Sequence, residues 1–254
     1  ITRVSLRLSP APQDRHTALV ALDGLTAVTT LLKQARASLA ELASFEVMWD
    51  NYLIPAAKAC GQAVPFDGQY PIYVLLEVEG ADRPSLKENL NQFLEQSLET
   101  GLLQDVIIPQ TLEQAAALWK MRDSSSEVMH AVKPFVAFDI GIPLKDMQVF
   151  IEHMLAAINT QFPQAINQLF GHLGDGNLHL TTGLLKEDEL LPVEELVYQI
   201  CAEYNGNITA EHGIGRIKKP FLHYSRSPEQ IALMQTIRQV LNPDNRQNAG
   251  RVVD

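Results

Sequence analysis

Hydrophobic and polar positions along the chain follow two periods, and the switches between them lay out the elements. In the opening "ITRVSLRLSP", Val4, Leu6 and Leu8 alternate with Arg3, Ser5 and Arg7, the period-two pattern of a strand. "HTALVAL" (16–22) reads as a further strand, and "LTAVTTLLKQARASLAEL" (25–42) carries the wider apolar spacing of a helix. "SFEVM" (44–48) predicts a short strand, "DNYLIPAAKAC" (50–60) a helix and "GQAVPFDGQYP" (61–71) a loop rich in turn residues. "IYVLLEVEG" (72–80) predicts a buried strand. "SLKENLNQFLEQSLETG" (85–101) is amphipathic and closes on Gly101, after which "LQDVIIP" (103–109) returns as a strand. Thr111 with Gln114 forms a capping box for a helix reaching about Met129.

The second half repeats this plan. "FVAFDIGIPLKDMQVFIEHMLAAI" (135–158) echoes "ALVALDGLTAVTTLLKQARA" (18–37): strand, Asp-containing turn, amphipathic helix. "AINQLFGHLGDGNLHLTTGLL" (165–185) follows as two strands around a turn, then a helix in "PVEELVYQICAEY" and a loop in "NGNITAEHGIG" (205–215). "SPEQIALMQTIRQVL" (227–241) is the last helix. Strands and helices that alternate with hairpins predict an α+β fold: a ferredoxin-like antiparallel sheet with helices packed on it, in two related αβ halves. A parallel nucleotide-binding sheet is disfavoured, because neither GxGxxG nor GxxxxGK[ST] occurs.

Composition narrows the partners. The 254 residues are 46% hydrophobic, enough to bury one large core or two small ones. A net charge of −10 argues against nucleic-acid or anionic-membrane surfaces, though a locally basic site could still take an anionic substrate. Cys60 and Cys201 form no CxxC pair, so the expected compartment is reducing, by default the cytoplasm, and a thiolate metal site is disfavoured. No apolar run is long enough to predict a transmembrane segment. Because the chain starts inside a strand pattern, it reads as cut from something longer.

"GHLGDGNLH" (171–179) holds two histidines among turn residues. With Asp175-Gly176 as a two-residue hairpin loop, His172 faces His179 across the ladder. Opposed Cβ atoms lie about 4.5–5.5 Å apart, which lets two imidazoles chelate one divalent cation. A stacked or hydrogen-bonded pair on a half-exposed hairpin is equally compatible with this spacing. "TAEHGIG" (209–215) could supply a third ligand. In an extended segment Glu211 and His212 point to opposite sides, so Glu211 would complete a His–His–Glu set and His212 would remain as a base. The bland alternative is a helix-leading loop with one capping carboxylate. Arg122 falls on the apolar side of its helix with Leu112, Ala115, Ala116, Trp119 and Met129, and Ser126 lies one turn further. A buried guanidinium needs an anion, either a substrate carboxylate or an internal salt bridge, unless it reaches the rim.

"GHLGDGNLHL" followed by "ITAEHGIG" resembles the C-terminal cap domain of FAD-linked oxidases, in particular the D-2-hydroxyglutarate dehydrogenase, D-lactate dehydrogenase and glycolate oxidase-like group. "FEVMWDNYL", "VAFDIGIP" and the closing "LNPDNRQNAGRVV" extend the resemblance along the chain. It implies that residues 1–254 form the cap, with 1–10 the junction strand from a FAD-binding domain outside this sequence. It implies metal ligands at His172, His179 and Glu211, a catalytic His212, and substrate contacts from Arg122, Ser126 and Thr181. Asn177 and Asn248 would face the flavin. The cofactors implied are FAD and a divalent metal, zinc or else Mn, Fe or Co. The reaction implied is oxidation of a small anionic D-2-hydroxy acid to the 2-oxo acid, with the electron acceptor and a homodimeric state left open.

Two positions depart from the hydroxyglutarate pattern: Ala137 stands where that branch has lysine, and Thr181 where it has asparagine. Lys133, four residues upstream of Ala137, could share its strand face but not its place. The rival readings are a non-catalytic ferredoxin-like module with a structural metal or none, and a metal-dependent hydrolase.

Overall fold

Among the described residues, seven strands make one antiparallel sheet. In this computed structural model, which describes residues 3–8, 11–81 and 84–253, the first half contains β1 (Asp14–Leu22), α1 (Leu25–Ser38), β2 (Leu42–Trp49) and α2 (Asp50–Ala59). It continues with β3 (Ile72–Gly80), α3 (Pro84–Glu99) and β4 (Asp105–Ile107). α4 (Leu112–Asp123) and α5 (Ser125–His130) lead to the second half, with β5 (Phe135–Gly141), α6 (Met147–Gln161), β6 (Ile166–His172), β7 (Asn177–Gly183) and α7 (Leu190–Glu203). α8 (Pro228–Leu241) is the last helix.

The first half has the ferredoxin-like order β4-β1-β3-β2. The second repeats its core, with β5, β7 and β6 in the places of β1, β3 and β2. The halves join edge to edge through Val47↔Gly171 and Met48↔Phe170. The echo between residues 18–37 and 135–158 is therefore a repeat of strand and crossover helix.

One sheet face is mainly apolar and packs on α1, α3, α6 and α7, with Val20, Val47, Val74, Leu169, Leu178 and Ile140 against Val28, Leu31, Leu90, Phe150, Met154 and Val197. On the opposite face, β1, β2 and β3 bury Leu19, Met48, Tyr73 and Leu75 under Tyr52, Leu53, Leu118, Met121 and Val128 from α2, α4 and α5. That second cluster includes no residue of β5 or β7. There the face changes character: Asp139, Asn177, His179 and Thr181 are buried polar residues, brought into register by Asp139↔His179 and Ala137↔Thr181. The interruption in the second helical layer is where the site lies.

Three expectations are corrected. Arg3–Leu8 form no strand, and Val4, Leu6 and Leu8 are exposed; residues 1, 2, 9 and 10 lie outside the described set. The helix from Thr111 does not run unbroken to Met129. It ends at Ser124, whose hydroxyl donates to the Met121 carbonyl at 2.8 Å, and α5 starts afresh. Within α4 Leu112 is exposed while Leu118 and Met121 are buried, and in α5, whose phase the break resets, Val128 is buried. Thr111 does cap α4 by accepting from the Gln114 amide at 3.2 Å, but Gln114 Oε1 accepts in return from the Gln110 amide at 2.7 Å.

Candidate metal site

The hairpin β6–β7 carries both histidines, in a register two residues away from the expected one. His172 pairs with Asn177 and His179 with Phe170, because residues 173–176 form a four-residue turn. Tertiary contacts choose this turn over an Asp-Gly loop. Leu173 is fully buried in the core, and the Gly176 carbonyl accepts from the Ile142 amide at 2.9 Å. His172 and His179 become diagonal neighbours on one face, which still lets long side chains meet. Their ring centroids are 5.4 Å apart.

Loop 205–215 lies across the polar face and is held by Asp139, which is 2% exposed. The Asp139 carboxylate accepts from Thr209 Oγ1 at 3.0 Å, the His212 amide at 2.9 Å and the Glu211 amide at 3.2 Å. Lys218 Nζ stands 3.8 Å away and donates to the Ile208 carbonyl at 2.9 Å. Burial alone would raise the Asp139 carboxyl, but the His212 amide, the Thr209 hydroxyl and Lys218 outweigh it and hold it below the usual carboxylate range. Two consecutive amides on one carboxylate bend the backbone. Glu211 and His212 consequently point to the same side, against the extended geometry expected from the sequence.

Three imidazoles thereby meet one carboxylate oxygen. Glu211 Oε1 lies 3.3 Å from His179 Nε2, 3.5 Å from His212 Nε2 and 3.9 Å from His172 Nε2. Ligands bound tetrahedrally at ~2.0–2.1 Å are separated by about 3.3 Å; the His179 and His212 spacings lie close to that value, and His172 stands wider. Ligand atoms of Asp139, His179, Glu211 and His212 can all lie within 4.8 Å of one another. Asp139, engaged by the loop amides, is the anchor of the group. Nothing in the sequence singled it out, although it lies two positions after Ala137 in "VAFDIGIP".

Arg122 makes the internal salt bridge that a buried guanidinium calls for. Its Nε donates to Glu46 Oε2 at 2.9 Å and its NH2 lies 2.8 Å from the same oxygen, while NH1 reaches Asp123 at 3.1 Å. It also lines a cleft of about 230 Å³ with His172, His179, Glu211 and His212. Met129, Ala137, Phe138, Phe170 and Leu180 form its apolar side, with Thr181 beside them. Thr181 is thus at the cleft, as expected, but Ser126 is not: it is exposed, and Ser125 takes the lining position because α5 starts a new phase. Lys133 is exposed and lies outside the cleft lining. Asn177 is 2% exposed, and neither polar atom of its side chain has a hydrogen-bond partner among the described residues. Asn248 sits in an exposed C-terminal turn at φ 50°, apart from the cleft lining, where its carbonyl accepts from Arg238 at 2.9 Å. That turn is tied to the site loop by the Val252 amide, which donates to Gly215 at 2.8 Å.

Burial, then the neighbouring His172, pushes His179 down to about 4, so it stays neutral and able to ligate at physiological pH. Its folded form takes up a proton less readily than the unfolded chain. Stability contributed by neutral His179 is therefore present above about pH 6.5 and lost as pH falls toward 4. The metal-free protein should lose about 3 kcal/mol across that window, less whatever His172, raised by its bond to Glu46, returns. Urea titrations at stepped pH check this, and His179→Phe should flatten the profile.

The family described as "FAD linked oxidases, C-terminal domain" matches residues 11–252. The chain belongs to that family. D-2-hydroxyglutarate dehydrogenase, mitochondrial, of Arabidopsis thaliana is 31% identical over 258 residues, which take in 100% of this chain and 45% of that protein. D-2-hydroxyglutarate dehydrogenase of Stutzerimonas stutzeri (strain A1501) is 30% identical over 264 residues, 99% of this chain and 55% of that protein. This FAD-linked oxidase C-terminal domain thus spans about half the length of such relatives. The structure of p-cresol methylhydroxylase with substrate bound superposes with a TM-score of 0.66 at 9% identity, covering 96% of this chain and 54% of that one, which establishes the shared fold. No helix among the described residues is long and apolar enough to cross a membrane.

Proposed function

We propose that the domain is the substrate- and metal-binding part of a FAD-dependent dehydrogenase that converts a D-2-hydroxy acid to the 2-oxo acid. The observation that carries this reading is the convergence of His172, His179 and His212 on Glu211 in a cleft that also presents Arg122. His172, His179 and Glu211 would hold a divalent cation, with zinc best suited and Mn, Fe or Co compatible with the donor set. FAD would be held mainly by an N-terminal domain, with residues 1–10 leading from it and the orphaned Asn177 amide and Asn248 facing it. When bound, the cation lowers the pKa of the substrate hydroxyl and FAD accepts the hydride from Cα.

The remaining work falls to this chain. Arg122 receives the C1 carboxylate, exchanging its contact with exposed Asp123 while Glu46 keeps hold of the other edge. The hydroxyl proton goes to His212 Nε2, which faces Glu211 and the cleft. Thr181 and Ser125 border the rest of the substrate, and Ser126 contributes only through α5. Free Cys60 and Cys201 suit a reducing compartment, either the cytoplasm or an organelle interior.

Arg122 tests the reading. In the full-length flavoprotein, Arg122→Ala should lower kcat/KM for D-2-hydroxy acids by about 10²-fold, with most of the loss in KM. Unchanged KM would remove the carboxylate role.

A further inference from the structure

Glu46 belongs to the first half of the sheet, yet its side chain works in the second. β2 and β6 pair through Val47↔Gly171, which sets the next residues, Glu46 and His172, side by side across the junction of the halves. The Glu46 side chain is 13% exposed and touches two members of the site. Oε2 takes Arg122 Nε and NH2 at 2.9 and 2.8 Å. His172 Nδ1 stands 3.0 Å from Oε1 and 2.8 Å from Oε2.

A carboxylate can only accept, so Nδ1 of a neutral His172 must carry the ring proton, leaving the lone pair on Nε2. Nε2 is the atom that faces Glu211 Oε1, at 3.9 Å. Arg122 NH2 lies 3.1 Å from Nε2 and 3.3 Å from Nδ1. These nearly equal distances place it astride the ring and not along the Nε2 lone pair. Carboxylate partners behind ligating imidazoles orient the ring and strengthen its donor nitrogen.

We propose that Glu46 is a positioning residue: it holds His172 as the Nδ1–H tautomer with Nε2 turned toward the metal position, and aligns Arg122 with it. One buried carboxylate thus couples the acid-binding cation to the metal-ligating histidine. The inference rests on the metal site proposed above, and two measurements keep their fates separate.

The first is the ¹⁵N spectrum of His172 in the metal-free protein, at a pH above the imidazole titration range. It should show Nδ1 protonated and Nε2 bare; the opposite tautomer overturns the role of Glu46 whether or not metal binds. The second is affinity for zinc alone, in wild type and in Glu46→Gln, His172→Ala and the double variant. Glu46→Gln presents one acceptor and one amide group where three donors converge, so affinity should fall about 10–100-fold. In the His172→Ala background the same change should cost nothing further, because the effect passes through His172. Wild-type affinity in Glu46→Gln, or an equal loss in both backgrounds, overturns the proposal. If wild type itself takes up no zinc, the metal reading falls, and the His172 tautomer alone decides the role of Glu46.

Discussion

With His212 replaced by alanine, the intact flavoprotein is expected to turn over a D-2-hydroxy acid about 10²–10⁴-fold more slowly, the usual contribution of a positioned general base. His212 suits this part because its side chain is 63% exposed toward the cleft while its backbone amide is fastened to Asp139. The ring can exchange protons while its attachment stays rigid. The loss should fall on kcat, with the substrate still held by Arg122. Metal content separates this role from ligation, since His212 Nε2 is nearly as close to Glu211 as His179 is, 3.5 against 3.3 Å. His212→Ala protein should keep its full complement of metal, whereas His179→Ala should lose it. If His212→Ala loses the metal instead, His212 is a ligand and the base lies elsewhere.

Replacing Asp139 with alanine should have the largest effect on stability. The carboxylate is 2% exposed and satisfies the Thr209 hydroxyl and the amides of Glu211 and His212, beside Lys218. Its removal strands these donors and leaves the Lys218 ammonium, already pushed down by burial, without its anion. Breaking a buried charge pair from one side costs about 3–5 kcal/mol. The same substitution releases the bend that turns Glu211 and His212 to one side, so zinc affinity should collapse along with stability. Urea denaturation and zinc titration of Asp139→Ala check both. A variant within about 1 kcal/mol of wild type that still binds zinc would show that the loop holds its shape without this anchor.

These two residues also show what the sequence could and could not reveal. His212 was legible because it sits beside Glu211 in a short segment with an unusual density of groups that ionise or ligate. Asp139 lies in a strand that alternates normally, and nothing local signals that its carboxylate will meet amides some 70 positions away. Glu46 was hidden for the same reason, since its partners come from α4 and β6. The antiparallel fold and its two halves were readable from period and order, because those depend on patterns within each segment. The hairpin register was not. Asp175-Gly176 is a good two-residue turn locally, but burial of Leu173 and the Ile142–Gly176 bond outweigh that preference. Ser126 was misplaced by the break at Ser124, which no residue in the run announces as strongly as a proline would.

The proposed reaction requires that a metal in this cleft lets a D-2-hydroxy acid reduce the flavin. The direct measurement is anaerobic mixing of the full-length, metal-replete flavoprotein with D-2-hydroxy acids and their L enantiomers, following the absorbance of the oxidised flavin. Bleaching by a D-2-hydroxy acid, abolished by chelation and restored by zinc or another divalent ion, is the predicted result. Flavin that stays oxidised with every D-2-hydroxy acid, or bleaches equally well after the metal is stripped, would contradict it.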